Sequence, residues 1–214
     1  MSLEDAIRMI SDVAISERFR GYLPVVVDIE SAGFNAQTDA LLEIAAVLLT
    51  VNEEGDWVED EGITRHIHPF EGANMEQAAL DFNGIDPDHP FRKEISVNEK
   101  EGLQDIFKLI RTKVKTHNCK RAILVGHNPA FDIGFLNAAV ERTNIKRNPF
   151  HPFSTFDTAT LGGLAYGQTV LSRVAEKAGI EWDSKQAHSA RYDAERTAEL
   201  FCKIVNTWRQ MSLK

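Results

Sequence analysis

The sequence predicts an α/β domain built on a mixed β-sheet, and three features predict it. A β-branched apolar run, LPVVVDI (23–29), has the length and composition of a buried central strand. Two more strand-like runs follow it. Helical and strand-like segments then alternate to the end of the chain, the order expected when helices pack on a sheet.

The elements come in sequence as follows. Residues 3–19 show helical spacing and predict an N-terminal helix that ends near Gly21, occupying 1–20 of a single domain spanning 1–214. After the first strand, LLEIAAVLLTV (41–51) and the alternating ITRHIHP (63–69) predict an antiparallel hairpin beside it. Between them, EEGDWVEDE (53–61) holds six acids and reads as the solvated hairpin tip. A helix over about 96–116 leads into RAILVGH (121–127), a second buried strand. NPAFDIGFLNAAVERT (128–143) predicts a helix with Asn128 near its cap and Pro129 in the first turn. A short strand including 154–156 precedes helices near 158–166 and 170–178. The last helix covers roughly 189–209, with Phe201, Ile204, Val205 and Trp208 on one stripe.

Composition bounds the function. With 214 residues, 43% hydrophobic and 26% charged, the chain can bury a full core. No apolar run approaches the ~20 residues of a membrane-spanning helix. The opening MSLEDAIRMISDVA places acids where a signal peptide needs basic residues, so the expected location is the cytoplasm. Cys119 and Cys202 are the only cysteines, too few for a disulfide framework or a Cys-rich zinc site. A net charge of −8 argues by itself against a nucleic-acid partner. Its distribution argues less clearly, because residues 108–121 hold six Lys/Arg and no acid. That stretch alone is also what an exposed helix end looks like.

Three sets of carboxylates carry the chemistry. Asp28 and Glu30 alternate on one strand and so project from the same face, with Cα atoms ~6.5 Å apart. Adjacent carboxylates repel unless cations neutralise them, and the hard ions Mg²⁺ or Mn²⁺ suit oxygen ligands. A lone D-x-E is equally the look of a strand end facing water. Asp132 lies where a strand feeds a helix, in GHNPAFD, and alone reads as well as a first-turn aspartate complementing the helix dipole. In AHSARYDAERTAELF (187–201), His188 and Asp193 are five positions apart, roughly 140° around a helix, so one continuous helix would separate them. The spacing predicts His188 on the loop before the helix and Asp193 on its first turns. An unperturbed pKa of ~6.5 suits such a histidine to general-base work, although a lone surface histidine is commoner.

Taken together, VVVDIESAGF, GHNPAFDIGFL and HSARYDAERTAELF resemble the three motifs of the DEDDh family of 3′→5′ exonucleases. The resemblance spans nearly the whole chain and implies a ribonuclease-H-like α/β fold, a mixed five-stranded sheet flanked by helices. It implies that Asp28, Glu30, Asp132 and Asp193 hold two Mg²⁺ ions per active site, with Mn²⁺ as a possible substitute, and that His188 takes the proton from the attacking water. Five catalytic positions are thus expected.

Within the family, FNGI, KRNPFHPFSTFDT and GQTVL resemble the RNA-trimming branch. That resemblance implies a homodimer that acts on RNA 3′ ends, including those of tRNA and other small stable RNAs, and on single-stranded DNA. It makes Phe34, Phe82, Phe131 and Phe153 the stacking residues for terminal bases. Arg18, Arg20, Lys115, Arg121 and Lys146 become a basic RNA-binding patch. In one departure, the branch carries a glutamate four residues before the second phenylalanine, where this chain has Ala78, with Glu76 out of register. An epsilon-type proofreading subunit of a DNA polymerase shares the catalytic set and is the nearest rival. A non-catalytic nucleic-acid-binding module is a second, disfavoured by its needless crowding of acids.

Overall fold

The computed structural model describes residues 15–212. The predicted N-terminal helix falls mostly outside these residues. Its described end is helical at 15–17 and then turns through Arg18–Gly21, close to the expected stop.

Five strands form one sheet in the order β3-β2-β1-β4-β5. They are β1 (Tyr22–Ser31), β2 (Leu41–Val51), β3 (Trp57–His66), β4 (Arg121–Gly126) and β5 (Phe150–Asp157). β1 is central because it is apolar on both faces. Leu23, Val25, Val26 and Val27 are buried, as a strand covered on both sides requires. It pairs antiparallel with β2 and parallel with β4, from Tyr22↔Arg121 to Val26↔Val125.

The helices are α1 (Gln77–Asn83), α2 (Pro90–Ile95), α3 (Glu99–Thr116), α4 (Ala130–Arg142), α5 (Thr158–Tyr166), α6 (Leu171–Ala178) and α7 (Ala190–Ser212). α3 and α4 pack together on one face of the sheet, and α7 covers β1, β2 and β3 with α5 and α6 beside it. Leu103, Ile106, Phe107 and Ile110 of α3 meet the sheet at helical spacing, as do Ala194, Ala198, Phe201 and Val205 of α7. Asn98 caps α3, accepting the Glu101 N–H at 3.0 Å, which sets its start later than residue 96.

Two sequence expectations need correction. The acidic segment 53–61 is not all hairpin tip: the turn closes by Asp56, where the Asn52 N–H meets the Asp56 carbonyl at 2.9 Å, and β3 begins at Trp57. Trp57 is buried and draws the second half of the segment into the strand, where Glu59, Asp60 and Glu61 stay exposed. Lys113 then pairs with Asp60 at 2.6 Å and Glu61 at 2.9 Å. Helices α1 and α2 lie where no helix was expected. Neither has a buried residue, so neither carries the apolar stripe that announces a helix.

Candidate active site

The C-terminal end of β1 gathers the carboxylates. Asp28 and Glu30 leave the same face of the strand, and Asp193 enters from the first turn of α7. Each offers an oxygen within 4.8 Å of the others. Asp132, in the first turn of α4, joins them from behind: its Oδ1 accepts the Ile29 N–H at 3.2 Å. That N–H lies beyond the last β1–β4 pair, Val26↔Val125, so the aspartate replaces a partner that the sheet no longer provides. Asp28, Glu30 and Asp193 therefore converge at one strand end, with Asp132 bound to the backbone between the first two.

Burial and mutual repulsion raise their pKa values. Asp28 is pushed well above the usual carboxylate range by burial first, then by Asp132, Asp193 and Glu30. Glu30 is raised to about 8, chiefly by burial and then by Asp193 and Glu43. Burial raises Asp132 to about 7. Asp193 is also raised by burial, against the bond from His188. The Asp193 Oδ1 is buried with no hydrogen-bond partner among the described residues. Converging acids and an orphaned acceptor fit a divalent cation, which would satisfy that oxygen and relieve the repulsion.

His188 stands on the turn before α7 in left-handed backbone, φ 67°. Its backbone N–H donates to Asp193 Oδ2 at 3.2 Å, which places the two residues side by side despite their spacing. The imidazole is exposed and lies 4.2 Å, centroid to centroid, from the ring of Phe82.

An open cleft of about 510 Å³ runs from these acids past Phe34, Phe82 and Phe131. Phe34 is 83% and Phe82 69% exposed, which for large apolar side chains calls for a partner. Phe131 is half-buried and anchored to the core by Phe135, with its ring 6.1 Å from that of Phe34. The loop carrying Phe34 is wound on buried Asp39, which accepts from Asn35 N–H, Asn74 Nδ2 and Thr38 Oγ1. Burial works against ionising Asp39, but these bonds outweigh it and hold its carboxyl below the usual range. Gly33 is required here because a Cβ would stand 2.1 Å from Asp39 Oδ2. Phe153 is not brought into the cleft. It projects from β5, 80% exposed, against the ring of His151.

The basic residues lie elsewhere. Tyr22 and Arg121 open β1 and β4 side by side, and a groove of about 730 Å³ holds Arg111, Lys115, Lys120 and Arg121 around Tyr22. The Arg20 guanidinium lies 5.2 Å over the Tyr22 ring, Arg18 follows the helix end, and Lys146 is exposed on the segment after α4. Tyr22 and Glu30 are eight residues apart along β1, ~26 Å at strand rise. The basic end and the acidic end are opposite ends of the same strand.

Four residues of this region escaped sequence reasoning. Glu43 stands opposite Glu30 across β1 and β2. Asn83 donates to the Ser31 carbonyl at 3.0 Å. His127 bridges Thr158 Oγ1 and the Thr169 carbonyl, and Asn128, at φ 66°, bonds Asp157 through its N–H.

The RNase_T exonuclease family model matches residues 25–201. The chain is 62% identical to a ribonuclease T of Marinobacter nauticus over 197 residues, 92% of this chain and 88% of that one. Among solved structures it is similar to E. coli exonuclease I in complex with a dT13 oligonucleotide, with a TM-score of 0.67 at 20% identity over 90% of this chain. The zinc-bound form of the E. coli exonuclease I complex with single-stranded DNA gives 0.65 at 19% over 87% of this chain. The matched region spans 42% and 41% of those two chains, so the likeness is one of fold. Among the described residues, no helix is long and apolar enough to cross a membrane.

Proposed function

We infer the activity from one premise: this chain belongs to the RNase_T exonuclease family. It is a 3′→5′ exonuclease of ribonuclease-H-like fold. Our reading goes further. The enzyme trims single-stranded 3′ ends of tRNA and other small stable RNAs, uses Mg²⁺, and accepts single-stranded DNA as well. The observation that carries this reading is one cleft in which Asp28, Glu30 and Asp193 converge beside the exposed rings of Phe34 and Phe82.

Asp28, Glu30, Asp132 and Asp193 would hold the cations. Bound divalent ions supply positive charge for the scissile phosphate and acidify the attacking water. His188 accepts the proton from that water; its exposure leaves it free to pass the proton on to solvent. Phe34 and Phe82 stack on the last bases, and Phe131 backs Phe34 from the core side. Stacking needs a bare base face, so an end inside a duplex offers nothing to these rings, and trimming halts near a stem.

The ~26 Å from Tyr22 to Glu30 also supports a homodimer. RNA held by Arg18, Arg20, Lys115, Arg121 and Lys146 of one copy would enter the cleft of a second. Phe153, outside its own cleft, stands near the basic end through His151, whose ring lies 5.5 Å from that of Tyr22. A sequence with only two cysteines, Cys119 and Cys202, accords with a cytoplasmic location.

The test is a time course on an RNA with a duplex stem and a short 3′ overhang, with and without Mg²⁺, beside a matched DNA. Magnesium-dependent shortening of the overhang that stops near the stem supports the reading. Internal cuts, or no cleavage by clean protein, would overturn it.

A further inference from the structure

Helix α1 carries Phe82 and Asn83 as its last two residues, and they face two different groups assigned to the chemistry. Phe82 meets the ring of His188. Asn83 reaches back to the end of β1: its Nδ2 donates to the Ser31 carbonyl at 3.0 Å, while its Oδ1 accepts the Ile85 N–H at 3.0 Å. The same amide lies beside the Glu30 carboxylate and favours its ionised form, countering the upward push of burial there. The amide thus donates to the strand end with its nitrogen and holds its own helix end with its oxygen.

The reason for this reach lies in the sheet. Pairing of β1 with β2 slips between Glu30 and Ser31, where the partners change from Glu43 to Leu41. Such a bulge re-aims a side chain and takes backbone groups out of the ladder. Here the extra residue is Leu42 of β2, and on β1 the slip falls just after Glu30, where the Ser31 carbonyl finds its partner in Asn83. At its other end, α1 is tied to the next residue of the same segment, through the Glu76 N–H and the Ala32 carbonyl at 2.7 Å. With no buried residue and only Leu80 packed on the Ala32–Ala40–Leu42 cluster, α1 is seated largely by these two ties.

We propose that Asn83 is a positioning residue that couples α1, and with it the ring of Phe82, to the end of β1 at Glu30–Ser31, so that an end base stacked on Phe82 and the placement of Glu30 depend on one side chain. The proposal rests on the exonuclease reading for the roles of Phe82 and Glu30. It separates Asn83 from its neighbour in kind. Phe82 acts on the substrate, whereas Asn83 acts on both substrate and cation binding.

The test compares Asn83→Leu, which keeps the size but loses every bond, Asn83→Asp, which keeps the acceptor for Ile85 and loses both donors, and Phe82→Leu. We expect kcat on a single-stranded RNA end to fall on the order of 10–100-fold in both Asn83 variants, the range for outer partners of a metal ligand. Calorimetric Mn²⁺ affinity of folded Asn83→Leu should fall by a similar factor. Phe82→Leu should raise KM and leave Mn²⁺ affinity unchanged. Two results would overturn the proposal: normal kcat in Asn83→Asp, which would leave only a cap for Ile85, or a lower Tm in Asn83→Leu with kcat and Mn²⁺ affinity intact, which would make the residue merely structural. Wild-type protein that neither binds Mn²⁺ nor cuts RNA would instead sink the exonuclease reading itself.

Discussion

Glu30 and Glu43 stand directly opposite each other on β1 and β2, two buried carboxylates in one cross-strand pair. Like charges so placed are destabilising. Glu43 is answered on its far side by His66 Nδ1 at 3.3 Å and Arg92 Nη1 at 4.0 Å. Arg92 also donates to the Leu42 carbonyl, so one guanidinium holds α2 against β2 and balances the acid behind the site.

Arg92→Met should therefore destabilise the metal-free protein, on the order of 3 kcal/mol, the cost of breaking a largely buried charge pair. Added Mg²⁺ should recover part of the loss by neutralising Glu30 across the strand. Urea unfolding with chelator and with Mg²⁺ measures both. An equal deficit in the two conditions would disconnect Glu43 from the cation site.

The raised carboxylates set a pH dependence. Glu30 at about 8 and Asp132 at about 7 keep their protons longer in the folded state than in the unfolded chain. Their contribution to stability is full below the ordinary carboxylate range and is lost as pH rises toward 7–8. The Tm of metal-free protein should fall over that interval. Cations compete with those protons, so Mn²⁺ affinity should rise across the same interval with proton release. A flat affinity between those limits would contradict burial as the cause.

His188→Ala should keep cation affinity and lose turnover by ~10²–10⁴, the usual contribution of a general base. The backbone bond to Asp193 survives the change, but the left-handed backbone at 188 disfavours alanine. His188→Asn, which tolerates that conformation, is the matched control. Near-normal kcat in both variants would remove His188 from the proton transfer.

Phe34→Ala and Phe82→Ala should each raise KM for single-stranded ends by ~5–150-fold, the equivalent of ~1–3 kcal/mol per stacked base. Both rings are mostly exposed, so Tm should move little. Steady-state kinetics beside a melting curve checks this; a large drop in Tm with unchanged KM would return the rings to a packing role.

Lys115→Glu combined with Arg121→Glu should weaken RNA binding and flatten its dependence on salt, since fewer phosphates are neutralised. Mixed with Asp28→Asn protein, this variant should regain cleavage if RNA crosses between copies. A mixture no more active than its parts would place patch and cleft on the same copy's path.

Much of the architecture could be read because it rests on local patterns. The β-branched run at 23–29 made β1 visible, and Asp28 with Glu30 followed from strand alternation. The position of His188 before α7 followed from helical angle alone. What escaped depends on contacts distant in sequence. Glu43 is a plain acid until the β1–β2 register sets it against Glu30. Asn83 has no local signature, since its task arises at a strand end 52 residues earlier. Helices α1 and α2 show no stripe because nothing in them is buried, and Trp57 overrode the acidic residues around it.

The tight fit of Gly33 against Asp39 has a practical outcome for anyone redesigning which termini the protein prefers. Any side chain at 33 collides, so that wall of the opening is closed to substitution without rebuilding the loop. The facing wall, where Ala78 and Ala79 border the opening with small side chains, is the place where new contacts can be installed.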